Sequence, residues 1–479
     1  MLNRKVSLFS LVMLNITAVV SLSSVAYMAT LGFQSVIFYI FAAILFLVPS
    51  SMICAELSGM MTKNNGGVFS WVKEGLGEKA GVIAMWLEWF NNVISFPGTI
   101  STIIATITLV AFPSLMENKY ILWLIMLAVF WLITLFNLLP MKRVVILNII
   151  GALFGMILPG ILIICGAVYY LVIGKVETSF HGVNDLIPIA SFGTFALLVK
   201  TLSAYSGIQS VAFHMKNIED PQKNVPRSML FAVVIILLLT ILATLSLVII
   251  LPANEVNPLN GLVQAISMVM SYLGFGAVSQ FIVAFLIGIG MLSALSTWVL
   301  GPARGMQEAA EAKLFPSFCQ RKNASGMPVN MLLIQVCIGS ILSLAFLLMP
   351  SIVSAFALLI ALTSQFTVLM WIMIFISAIR LRYTKRDADR SFRVGGKRKG
   401  NAILILMASL AIMACLLGFV AGLFPPAFSH IKSMGWYIII MVVADAIIIA
   451  IPLIWIYFSH RKQLKHKRKY LNMALNSIA

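Results

Sequence analysis

The chain has 479 residues, of which 61% are hydrophobic and 10% charged, with a mean hydropathy of +1.03. A soluble domain carries about a quarter charged residues, so this balance excludes a water-soluble globular protein. The net charge of +18 does not indicate nucleic acid, because its distribution follows membrane topology.

Apolar runs near 20 residues, the length that crosses ~30 Å of hydrocarbon, recur from end to end. Twelve are predicted: 6–33, 35–57, 80–112, 120–139, 144–173, 191–215, 228–251, 274–300, 329–349, 352–379, 401–424 and 435–458. The fold class is therefore an all-α polytopic membrane protein, and nothing between the runs is large enough for a soluble domain. Span one opens like a secretory signal, with Arg4, Lys5 and then Ser24-Val25-Ala26. The apolar stretch resumes at once and eleven more follow, so an uncleaved first helix is expected. That span is interrupted by Ser21-Leu22-Ser23-Ser24, and span six by Ser203-Ala204-Tyr205-Ser206-Gly207. Lipid offers no partners for freed backbone groups, so mid-depth breaks are tolerated only where they line a buried site. Matching breaks in two halves of a chain are the sequence sign of a secondary transporter's substrate site. A channel gives no reason for them.

Few ionisable residues lie within spans: Glu88, Lys200 and Asp445, with Glu56 at the end of span two. Each is costly in lipid and is a functional candidate. Glu88, Asn91, Asn92, Ser95 and Thr99 form one polar stripe on span three by their spacing. Lys200 shares a face with Ser203 and Gly207. Ser293, Ser296, Thr297 and Arg304 line a face of span eight, and Thr363 and Thr367 one of span ten. Such stripes are expected around a hydrated cavity; interhelical hydrogen bonding is the alternative. Asp445 stands alone in an apolar run, where packing or an oligomer interface would explain it. Between spans, 254–272 is long enough for a lid-like helix, and 302–314 reads as a short amphipathic helix on the membrane surface. Either segment could equally be a plain connector.

With both termini in the cytoplasm, inside segments hold 29 of the 33 Lys/Arg, and outside loops hold only Lys119, Lys175 and Lys432. That asymmetry is the positive-inside rule. The clusters at 380–399 and 461–469 are expected to meet anionic lipid. The five cysteines imply no disulfide or metal framework, and the five histidines lie in loops, tails or helix ends. Hydrolase and metalloprotease signatures are absent, so no enzyme, catalytic residue, metal or cofactor is predicted.

Several stretches resemble the amino acid/polyamine/organocation transporter superfamily, most closely its glutamate/γ-aminobutyrate antiporters. They are Cys54-Ala-Glu-Leu with Gly66-Gly67-Val-Phe-Ser-Trp71, Tyr205-Ser-Gly-Ile-Gln209 with Glu219-Asp-Pro-Gln-Lys-Asn-Val-Pro226, Thr297-Trp-Val-Leu-Gly-Pro-Ala-Arg-Gly-Met306, and Arg390-Ser-Phe-Arg-Val-Gly-Gly396. The likeness covers nearly the whole chain. It implies a five-plus-five inverted repeat, 6–173 and 191–379, with two appended helices in 401–458; in this chain a short basic tail, 459–479, follows. It also implies alternating access, an amino acid as small-molecule partner, a bacterial inner membrane, and substrate held at Ser21, Ser23, Ser24, Ser203, Ala204, Tyr205, Gly207, Ile208 and Trp298. Glu88, Asn91, Asn92, Lys200, Ser293, Thr297 and Thr363 are the coupling or pathway candidates. A proton-coupled amino acid or polyamine permease is the alternative, and a homodimer stays open.

The chain departs from the family pattern in three ways. Serines stand at the first break where the antiporters carry tyrosines and a glutamate. Gly207-Ile208-Gln209 stands where many members have Gly-Val-Glu. The tail is shorter than the plug of acid-resistance relatives.

Overall fold

The computed structural model describes residues 7–20, 22–61, 67–111, 118–139, 154, 157–188, 201–210, 218–252, 254–311, 315–349, 351–425 and 433–476. Among them the chain is helical, with no β-strand. Eight helical runs are long and apolar enough to cross a membrane: Gly32–Met60, Lys119–Phe136, Pro221–Ile250, Ala277–Glu311, Val329–Leu348, Ile352–Thr384, Lys399–Ala421 and Met434–Tyr457. They correspond to spans two, four and seven to twelve. Of the other four, span one is divided into Leu8–Val19 and Leu22–Ala29. Span three is one 34-residue helix, Glu78–Ala111, with Pro97 inside it. Span five is described as Leu158–Val172, and span six only over 201–210.

Burial sorts the spans in a way that periodicity does not. Span ten is 78% buried over its most apolar stretch, whereas span twelve is 22% buried. A helix apolar all round belongs in the interior or in lipid, and its composition alone does not say which. Here span ten is the interior helix, while span twelve turns Trp436, Ile439, Val443 and Ile447 outward. Asp445 lies on its inner side, 6% exposed.

Over its described residues, 302–311, the segment 302–314 is not a separate surface helix. Span eight runs unbroken through Pro302 to Glu311, and Pro302, Ala303, Gly305, Met306, Gln307, Ala309 and Ala310 are buried. Small side chains let this end pack inside the bundle, and Gln307 and Gln320 tie it to the following turn: Gln307 Nε2 donates to the Gln320 carbonyl at 3.2 Å and Gln320 Nε2 to the Ala310 carbonyl at 2.8 Å. The segment 254–272 does contain a helix, Gly261–Tyr272. With Asn260, this helix lines a narrow cavity that also takes in Ala26, Thr102, Thr106 and Met291.

The opposite, basic end of the bundle is closed by an ion-pair cluster. Glu56 of span two is buried and receives Arg382 of span ten through both Nε, at 2.6 Å, and Nη2. The Val394 N–H donates to the same carboxylate at 2.9 Å. Arg390 Nε lies 3.1 Å from its Oε1. Arg382 also donates to the Val394 carbonyl and to Asn401 Oδ1. One carboxylate thus gathers span two, span ten and the loop leading into span eleven. Lys385 and Glu74 extend the cluster to helix Gly67–Leu76.

Candidate functional site

The breaks in spans one and six meet. Helix Leu8–Val19 ends two residues before Ser21, and the next helix starts at Leu22. In span six the helix runs to residue 204, turns over 205–207 and closes with a 3₁₀ turn over 208–210. Gly207 has a φ of +131°, a conformation that side chains other than glycine's rarely permit. It also faces the other break: a Cβ at Gly207 would lie under 3.0 Å from the Ala18 carbonyl, within the backbone of span one. Glycine is therefore required twice, for the turn and for the approach of two interrupted backbones.

Polar side chains of the span-six break and of two other spans, three and ten, converge there. The Gly207 N–H donates to Gln209 Oε1 at 2.8 Å. Gln209 Nε2 donates to Glu88 Oε1 of span three at 3.1 Å and to Ser206 Oγ at 3.3 Å. Trp371 Nε1 of span ten donates to Ser206 Oγ at 2.9 Å. One turn away, Ser203 Oγ and Ser364 Oγ share a 2.8 Å hydrogen bond. Glu88 and Gln209 are each 1% exposed, so this is a closed, water-poor site.

Several predicted residues bond within their own helices. The stripe on span three satisfies itself along its own backbone: Asn92 Nδ2 donates to the Glu88 carbonyl, Ser95 Oγ to that of Asn92, and Thr99 Oγ1 to that of Ser95. The Glu88 carboxylate reaches the break through Gln209. Asn91 is half-buried. Thr297 Oγ1 donates back to Ser293 and Thr363 Oγ1 to Ile360. Ser296 faces away, to Asn137 of span four. The Tyr205 ring packs 5.8 Å from Tyr39 and its hydroxyl meets Thr240 at 3.3 Å. Its side chain is thereby committed to spans two and seven, leaving its backbone for the break. Ser24 and Ile208 are buried, Ala204 is half-buried, and Trp298 is half-buried against the main core. Ser21, the Ser23 side chain and Lys200 lie outside the described residues.

The sequence reading named Ser206 within the break and Gln209 as a departure from the family pattern without giving either side chain a role, and it did not name Ser364 or Trp371. A signal for the last two was present: Ser364 and Trp371 are seven apart, on one face of span ten beside Thr363.

The family model for amino acid permeases matches residues 6–444. The chain belongs to the amino acid permease family and is a membrane transporter. An uncharacterized transporter of Legionella pneumophila is 33% identical over 96% of this chain and 97% of its own length. A glutamate/γ-aminobutyrate antiporter of Lactococcus lactis is 26% identical over 96% and 92%. A probable agmatine/putrescine antiporter of the same species is 22% identical over 82% and 83%. The crystal structure of MhsT in complex with L-phenylalanine superposes with a TM-score of 0.57, covering 86% of this chain and 98% of that one at 14% identity. That likeness concerns the fold.

Proposed function

We infer that this protein is an amino acid antiporter of the glutamate/γ-aminobutyrate type, with its substrate at the meeting point of the two breaks. The observation that carries the reading is Gly207 pressed against the Ala18 backbone, which brings two sets of freed backbone groups to one place. Helix N-termini there present N–H donors and a positive dipole end to a carboxylate, and unwound carbonyls suit an ammonium. Substrate is held mainly by backbone, with Ser203, Ser206 and Ser24 around it, and is exchanged by alternating access. The termini are cytoplasmic, the location is a bacterial inner membrane, and the repeats are 6–173 and 191–379. The near full-length likeness to glutamate/γ-aminobutyrate antiporters supports the substrate class.

Reconstituted protein should take up radiolabelled glutamate or γ-aminobutyrate into liposomes only when they are preloaded with unlabelled amino acid. Uptake independent of preloading but driven by a proton gradient would favour a proton-coupled permease. Ion current without saturable uptake would favour a channel.

A further inference from the structure

Gly207 is the break residue whose Cβ position meets the Ala18 backbone of span one, and in this structure a side chain of the same chain already holds its N–H. Gln209 Oε1 accepts it at 2.8 Å. The rest of that amide is also engaged: one Nε2 proton points to Glu88 Oε1 and the other to Ser206 Oγ. Amide orientation follows from the partners, since the oxygen must face the N–H donor and the nitrogen the carboxylate. A carboxylate arriving at Gly207 finds its position filled by a neutral carbonyl oxygen of similar shape.

We propose that Gln209 is a resident stand-in for the substrate carboxylate, and that substrate binds by displacing it, which also releases Glu88 from its hydrogen bond. This rests on the reading above that substrate is held at the breaks through its carboxylate. The physical logic has two sides. An empty break would leave a buried N–H unsatisfied, which is costly, and Gln209 removes that cost from the empty state. A charged acceptor makes a stronger hydrogen bond than a neutral one, so a substrate carboxylate outcompetes the amide. Gln209 thus lowers affinity for substrate while holding the empty site in shape, and it connects occupancy of the break to the partner of Glu88 on span three.

The test uses the purified full chain in nanodiscs and equilibrium binding of radiolabelled L-glutamate or γ-aminobutyrate, whichever binds better. Gln209→Met and Gln209→Leu remove the competing acceptor, and both should bind about five-fold tighter, equivalent to ~1 kcal/mol. Gln209→Glu installs a charged occupant and should bind at least about ten-fold weaker, since charge-assisted bonds are the stronger. These opposite signs separate displacement from a capping role, which would weaken binding in the Met and Leu variants. Unchanged or weakened binding in Met or Leu, or unchanged or tighter binding in Glu, overturns the proposal, and any one variant that folds is enough to decide. If the wild-type protein binds no amino acid, the functional reading itself fails, a different and distinguishable result.

Discussion

Glu56, at the basic end of span two, and Glu88, in the half of span three that starts from the same end, are both almost inaccessible, at 4% and 1% exposure. Around Glu56 stand two guanidiniums and a backbone N–H. Around the Glu88 carboxylate, among the described residues, stands one neutral amide, that of Gln209. A buried carboxylate with two opposing charges is tied into the fold, since losing a partner strands charge in a low-dielectric interior. A buried carboxylate with one neutral partner can change partner or protonation at modest cost. The two regions therefore divide the work: the first fixes one end of the bundle, and the second is suited to respond to what enters the break. Arg390 shows the desolvation that the first arrangement imposes. It lies in the loop outside the spans, where burial pushes its guanidinium pKa down while Glu56 opposes the shift.

The largest effect is expected at the first region. Glu56→Ala leaves Arg382 and Arg390 buried without a counter-charge and should cost about 3–5 kcal/mol, read as a steep fall in thermal stability and in monodisperse yield. Adding Arg382→Met to a Glu56→Met background should recover part of that loss. An Ala variant as stable as wild type would remove the contrast between the two carboxylates.

Gly207→Ala comes next. A forced positive φ costs about 1–3 kcal/mol, and the new Cβ collides with span one. Exchange in liposomes should fall at least about ten-fold, because a collision with backbone misplaces the reacting geometry rather than a flexible side chain. Wild-type exchange by this variant would mean the breaks do not have to touch.

Glu88→Gln should alter stability by no more than about 1 kcal/mol, the worth of one ordinary hydrogen bond, while changing substrate preference or the pH profile of exchange. Destabilisation equal to that of Glu56→Ala would make Glu88 another structural anchor. An unchanged profile and preference would place coupling elsewhere.

The smallest effect concerns a cysteine near the basic end. Cys319 is 5% exposed and burial pushes its thiol up to about 11. The thiolate is the reactive form, so Cys319 should resist maleimide at neutral pH, and its labelling should rise only as pH approaches that value. Rapid labelling at pH 7 would show that the turn carrying Cys319 opens readily, which the burial of its thiol argues against.

Hydropathy and short motifs were sufficient for the helical class, the eight long apolar spans among the described residues, the family and the neighbourhood of both breaks, because each is a property of local composition or spacing; the first break falls between Val19 and Leu22, so Ser23 and Ser24 lie in the helix that follows it. Partners were another matter. Gln209 reaches Glu88 across 121 residues and Arg382 reaches Glu56 across 326, distances at which spacing carries no information. Periodicity assigned Asn92, Ser95 and Thr99 to one face correctly, but a hydroxyl bonding its own helix and one lining a cavity have the same spacing. Tyr205 sits inside the break by sequence, yet its ring is held elsewhere by Tyr39 and Thr240. The sequence by itself determined, to within a few residues, where the backbone would leave its helices, since small and hydroxyl residues signal that locally. Only the tertiary structure decided which groups meet there, because in a bundle every polar side chain chooses between its own helix and a neighbour according to packing.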